Sequence, residues 1–104
     1  MSFNGTEGGT ISLQQGGEWT QNWRETHSGA SKSVFFGRET LEDLLGQTGC
    51  MGIRVYFAIN NNDKVTAVLV GADADGDDLV ESVVDLGVLC PPMCPPKPSV
   101  LNGG

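Results

Sequence analysis

The sequence is poor in the residues from which most catalytic and nucleic-acid-binding sites are built. It holds a single histidine, His27, and only six lysines and arginines against thirteen aspartates and glutamates, for a formal charge of −7. Nucleic acid and anionic membrane surfaces both need Lys or Arg to replace their counterions, so neither is an expected partner. No apolar run approaches the ~18 residues of a membrane-spanning helix. The opening Met1-Ser-Phe-Asn-Gly-Thr-Glu-Gly-Gly has neither the basic start nor the apolar stretch of a secretory signal. The expected compartment is by default the cytoplasm, although export by a signal-independent machine would leave no mark. Cysteine is scarce as well: Cys50, Cys90 and Cys94 are odd in number and make no disulfide framework.

What is present is β-forming residues around one turn. Between Cys50 and Ala72, two arms rich in β-branched and aromatic residues flank Asn60-Asn61-Asn62-Asp63, a cluster that favours chain reversal, and this predicts a hairpin over 53–59 and 64–71. Ile53, Val55, Phe57 and Ile59 share one face, which is expected to lie on the core. On the other arm Thr66, Val68 and Val70 alternate with Val65, Ala67 and Leu69, so neither face is plainly polar. A hairpin covered on one side only shows cleaner alternation. A further segment of the chain, or another copy of it, is therefore expected against the second face. With 104 residues and 38% hydrophobic content, the chain is long enough for one domain with a modest core.

The remaining elements are shorter. Residues 1–9 are small and polar and are expected to form a flexible arm. Ser12 with Gln15 fits a capping box that opens a helix to about Glu25 or Thr26, carrying Gly16 and Gly17 against propensity and placing Trp19 and Trp23 on one face. Ser33-Val34-Phe35-Phe36 is expected to be a short strand and the third partner of the hairpin. Leu41, Leu44 and Leu45 predict a second helix from Gly37 or Arg38. Leu79, Val80, Val83, Val84 and Leu86 have a spacing that suits a short helix slightly better than a strand. Five prolines between residues 91 and 98 leave an extended polyproline segment over 90–104.

Gln47-Thr-Gly-Cys-Met-Gly-Ile-Arg-Val-Tyr56, the Val70-Gly-Ala-Asp-Ala-Asp-Gly-Asp-Asp78 turn and Cys90-Pro-Pro-Met-Cys-Pro-Pro96 resemble a group of short bacterial hypothetical proteins of about this length. The likeness runs over roughly residues 11 to 102, and its most specific parts are the Gly-Cys-x-Gly-Ile-Arg segment and the Cys-Pro-Pro tail. No activity is established for that group, so the resemblance implies no catalytic or binding residue. It implies that the chain is one unit.

Few constellations in the sequence carry chemistry. Asp73, Asp75 and Asp77 have the first spacings of a calcium loop, with Asp78 beside them. Yet Gly76 is two positions early and Val84 stands where a bidentate Glu is required, so these four are candidates only for a loosely held divalent cation. Cys90 and Cys94 would start ~12 Å apart in polyproline geometry, too far to pair without a turn; after a turn they form a thiol pair or a disulfide. His27 has no acid-base partner in its surroundings, and Ser28 and Ser31 have no base or oxyanion site signalled.

The expected protein is thus an α+β domain over residues 10–89, with a small antiparallel sheet on the hairpin, two packed helices and the tail. The expected function is non-enzymatic and needs no cofactor: a structural or interaction protein that forms a homo-oligomer or meets another protein. Tyr56, Val68, Val70, Pro91, Pro92, Met93, Pro95, Pro96 and Leu101 are the expected contact residues, and the tail docks on its own or a neighbouring subunit. The alternatives are a divalent-cation-binding or redox-responsive module using Asp73–Asp78 or Cys90 and Cys94, and an acidic inhibitor or immunity-like protein.

Overall fold

The computed structural model of the chain describes residues 2–103; Met1 and Gly104, the outer ends of the arm and the tail, lie outside them. Its elements make an α+β domain. In order they are α1 (Leu13–Thr26), β1 (Ser33–Phe35), α2 (Arg38–Leu45), β2 (Cys50–Ile59), β3 (Val65–Asp73), β4 (Asp78–Val84) and β5 (Val88–Cys90). β2, β3 and β4 form an antiparallel meander, and β1 pairs antiparallel with β5 in a separate two-stranded sheet. Among the described residues no helix is long and apolar enough to cross a membrane.

Both turns of the meander use one device. Asn60 Oδ1 accepts from the backbone N–H groups of Asn62 and Lys64 at 2.9 and 3.0 Å, and Asp73 Oδ1 accepts from those of Asp75 and Asp77 at 3.0 and 2.9 Å. In each turn the residue three places on, Asp63 or Gly76, takes the positive φ that closes it. The second turn lays residues 78–84 back on β3 as a strand, not as the helix their spacing suggests. Val80, Glu81 and Ser82 bulge out between the Leu79–Gly71 and Val83–Val70 pairs, and that bulge absorbs the irregular apolar spacing. β4 is therefore the third strand of the hairpin sheet. Ser33–Phe35, expected in that place, pairs instead with Val88–Cys90.

α1 begins as its cap dictates, with the Ser12 hydroxyl accepting from Gln15 N–H at 3.0 Å. Its glycines have a packing reason. A Cβ on Gly17 would stand 2.8 Å from Val100 Cγ2, and one on Gly16 would stand 3.2 Å from Leu101 Cδ2. The ~1 kcal/mol that each glycine costs the helix thus opens a notch into which the C-terminal tail fits. Arg24 closes it by donating to the Leu101 carbonyl at 2.9 Å.

α2 packs on the Gly71 end of the hairpin. Leu44 is 1% exposed there, Leu41 is half-buried and Leu45 faces water. With eight residues α2 spans only ~12 Å, whereas the ten residues of β2 span ~33 Å. Most of the hairpin therefore lies beyond its reach. Among the described residues the buried apolar side chains reduce to Leu44, Ala67, Leu69, Val70, Ala72 and Cys90. The accessible surface, 7636 Å², exceeds by about 2,000 Å² the ~5,600 Å² usual for a folded monomer of this mass. The radius of gyration is 15.1 Å, against ~13 Å for an ordinary domain of this length.

Candidate functional site

The uncovered part of the hairpin forms one side of an open cleft of 1110 Å³, whose other walls come from α1, β1 and the tail. Val55, Phe57 and Ile59 line the bare stretch at 50%, 93% and 71% exposure. The face expected to be core is closed only near Ile53, because α2 ends there. On the opposite wall Trp23 is fixed by donation from its indole N–H to the Ser31 carbonyl at 2.9 Å and by stacking on His27 at 3.8 Å. His27 thereby serves as the C-cap of α1, its own N–H donating to the Trp23 carbonyl at 2.9 Å.

The residues lining the cleft include no carboxylate, imidazole or thiol. Its cations are Arg24 and Lys32, and Arg24 is held by the tail. The chemistry available to such a surface is the burial of apolar area.

No protein-family model, no curated protein and no solved structure matches the chain. What the surface can bind is therefore decided by its own geometry.

The other expected contact residues are scattered. Val70 is 2% exposed, held between its neighbours Arg54 and Val83, so it belongs to the core; Val68 is half-buried. Pro91, Pro92, Met93, Pro95 and Pro96 face water, while Leu101 lies against Gly16 at the rim of the cleft. Instead of running extended from residue 90, the chain turns at 91–93, with Met93 N–H donating to the Leu89 carbonyl at 3.0 Å. The turn brings the Cα atoms of Cys90 and Cys94 within 4.6 Å, and the two are joined in a disulfide; Cys50 is free. Residues 2–9 carry no regular element, yet Phe3 N–H donates to the Ala74 carbonyl at 2.8 Å.

Carboxylate oxygens of Asp73, Asp75 and Asp77 come within 4.8 Å of one another. The Asp73 oxygen is already occupied by two backbone amides, and Asn60 does the same work in the other turn with no charge. Asp73 is accounted for as turn chemistry. Asp78 points away from it, accepting from Arg54 Nη1 and from the Tyr56 hydroxyl.

This Arg54–Asp78–Tyr56 group sets the pH behaviour of the opposite face. Donation from Tyr56, then from Arg54, holds the Asp78 carboxyl below its ordinary range despite partial burial. The same bond to Asp78 pushes the Tyr56 hydroxyl above its ordinary value. The contribution of Asp78 to stability is present above its unfolded value of ~3.9 and is lost as pH falls through the lower folded value. That of Tyr56 is present below ~10 and is lost as pH rises through the higher folded value. Tyr56 is the only tyrosine, so tyrosinate absorbance reads it alone. The native protein is expected to titrate above ~10 and Asp78→Ala to return the midpoint to ~10; an unshifted native midpoint would show that the hydroxyl is free.

Proposed function

We propose that this chain is a non-enzymatic structural or interaction protein that assembles with copies of itself through the bare apolar face of its hairpin. The observation that carries the proposal is Phe57, 93% exposed among other apolar side chains on the floor of a 1110 Å³ cleft. Val55 and Ile59 flank Phe57 on the same face, also exposed, and clustered exposed apolar side chains of this kind mark interaction surfaces. The surplus of about 2,000 Å² supports it further, since a standard interface takes only ~800 Å² from each partner. The tail contributes by bracing α1 at the Gly16–Gly17 notch, which holds one wall of the cleft in place.

The cation-binding alternative has only the Asp73–Asp77 turn to draw on, and there one oxygen of Asp73 already accepts from two backbone amides. The acidic inhibitor alternative has no feature beyond charge and size.

Assembly that buries apolar surface stabilises the fold by mass action. The melting temperature is therefore expected to climb steadily as protein concentration is raised through the micromolar range. A melting temperature that stays flat would count against self-association.

A further inference from the structure

The self-association proposed above leaves open which atoms meet, and the backbone of β2 answers this. Among the described residues β2 has a neighbouring strand, β3, on one side only. The N-terminal arm comes alongside its start, where a Cβ on Gly5 would lie 3.5 Å from the Met51 carbonyl, and this leaves 53–59 as the bare edge.

The hydrogen bond from Asn60 N–H to the Lys64 carbonyl, 2.9 Å, sets the phase of the ladder. With Ile59 opposite Val65 and Tyr56 opposite Val68, the residues bonded to β3 are Ala58, Tyr56 and Arg54. The N–H and C=O groups of Ile53, Val55, Phe57 and Ile59 consequently point outward from the sheet, with no partner strand.

Exposed edges are ordinarily protected by proline, lysine or another charge directed along the edge. Residues 53–59 hold no proline and no lysine, and their single charge, Arg54, is turned inward to Asp78 and to the Gly76 carbonyl at 3.0 Å. The edge is open in backbone and apolar in side chain.

We propose that its occupant is the same edge of a second copy, the two β2 strands running antiparallel about a twofold axis at Tyr56. Tyr56 is the midpoint of the bare stretch, so every outward group of 53–59 then finds a partner. Ile53 stands opposite the partner's Ile59, Val55 opposite the partner's Phe57, and Arg54 opposite the partner's Ala58. A twofold placed at Arg54 would set like charges against each other, which is disfavoured. The three-stranded meanders join into one sheet, and the two bare Val55–Phe57–Ile59 faces become a continuous apolar surface.

The register can be tested directly. Tyr56 is a residue whose outward groups would not bond across the new pair, so its Cα would lie ~4.5 Å from its symmetry mate, within disulfide range. In a Cys50→Ser background, Tyr56→Cys treated with oxidised glutathione is expected to give a covalent dimer that reductant dissolves. Ala58→Cys in the same background is expected to give none, because its symmetry mate would lie about 13 Å away along the strands.

A second variant leaves Tyr56 in place. Val55→Pro removes only an outward N–H and is tolerated on an edge, so it should keep the strand content of the native protein in circular dichroism. It should raise the concentration at which the protein assembles at least about tenfold. If the native chain assembles but Val55→Pro assembles equally well, or Ala58→Cys cross-links in preference to Tyr56→Cys, this edge pairing is wrong while self-association stands. If the native chain is a monomer at every concentration, the functional proposal itself fails.

Discussion

Phe57→Asp is expected to reduce the assembled protein to its 11.0 kDa monomer while leaving the fold of each chain nearly unchanged. The side chain is 93% exposed, so its loss removes almost nothing from the packing within one chain. A surface change of that kind usually moves stability by no more than ~0.5 kcal/mol. At an interface the balance reverses. Across the paired edges each Phe57 stands beside the partner's Val55, and an aromatic–β-branched pair across two strands contributes about 0.2–1 kcal/mol, so the loss of both pairs corresponds to a rise of up to about 30-fold in Kd. Light scattering on the native and variant proteins at equal concentration reads the difference. A variant that assembles as well as the native chain would place the contact elsewhere.

Leu44→Ala should produce the largest loss of stability within a single chain. Leu44 is 1% exposed and is the buried residue of α2, which sits against the hairpin with the Leu44 carbonyl 3.4 Å from where a Cβ on Gly71 would stand. Truncating a buried leucine costs about 2–5 kcal/mol, depending on how far the site collapses. Domains of this size usually hold only about 5–15 kcal/mol in all, and the enclosed core here is small. The variant is therefore expected to unfold at much lower urea than the native protein, or to be partly unfolded without denaturant. Leu45→Ala, one residue along and facing water, should lose less than about 1 kcal/mol. Equal losses at the two positions would mean that α2 is not seated as described.

The parts of the fold that were legible in the sequence are those set by local chemistry. The hairpin follows from β-branched arms around Asn60–Asp63, the start of α1 follows from the Ser12 cap, and α2 follows from the Leu41, Leu44 and Leu45 spacing. What could not be read depends on distant partners. Residues 79–84 carry an apolar spacing that suits a helix, and only the Asp73 turn and the waiting edge of β3 make them a strand. Ser33–Phe35 is too short to encode its partner, and it finds β5.

The candidate site was half legible. That both faces of the hairpin are apolar was plain, and the expectation of a covering partner came from it. Alternation places Phe57 on the face expected to be core, but it says nothing of what covers that face. The signal that finds it is one of length: a helix of eight residues cannot roof a strand of ten. In the sequence the glycine pair of α1 is only a cost to propensity, and its use as a notch appears once Val100 is in place.

Sedimentation equilibrium of the intact chain across the micromolar range tests the central proposal most directly. Self-association through the bare hairpin predicts an average mass above 11.0 kDa that rises with concentration toward a multiple of it. A mass that stays at 11.0 kDa at every concentration would contradict the account, and the exposed face of Val55, Phe57 and Ile59 would then require a different occupant.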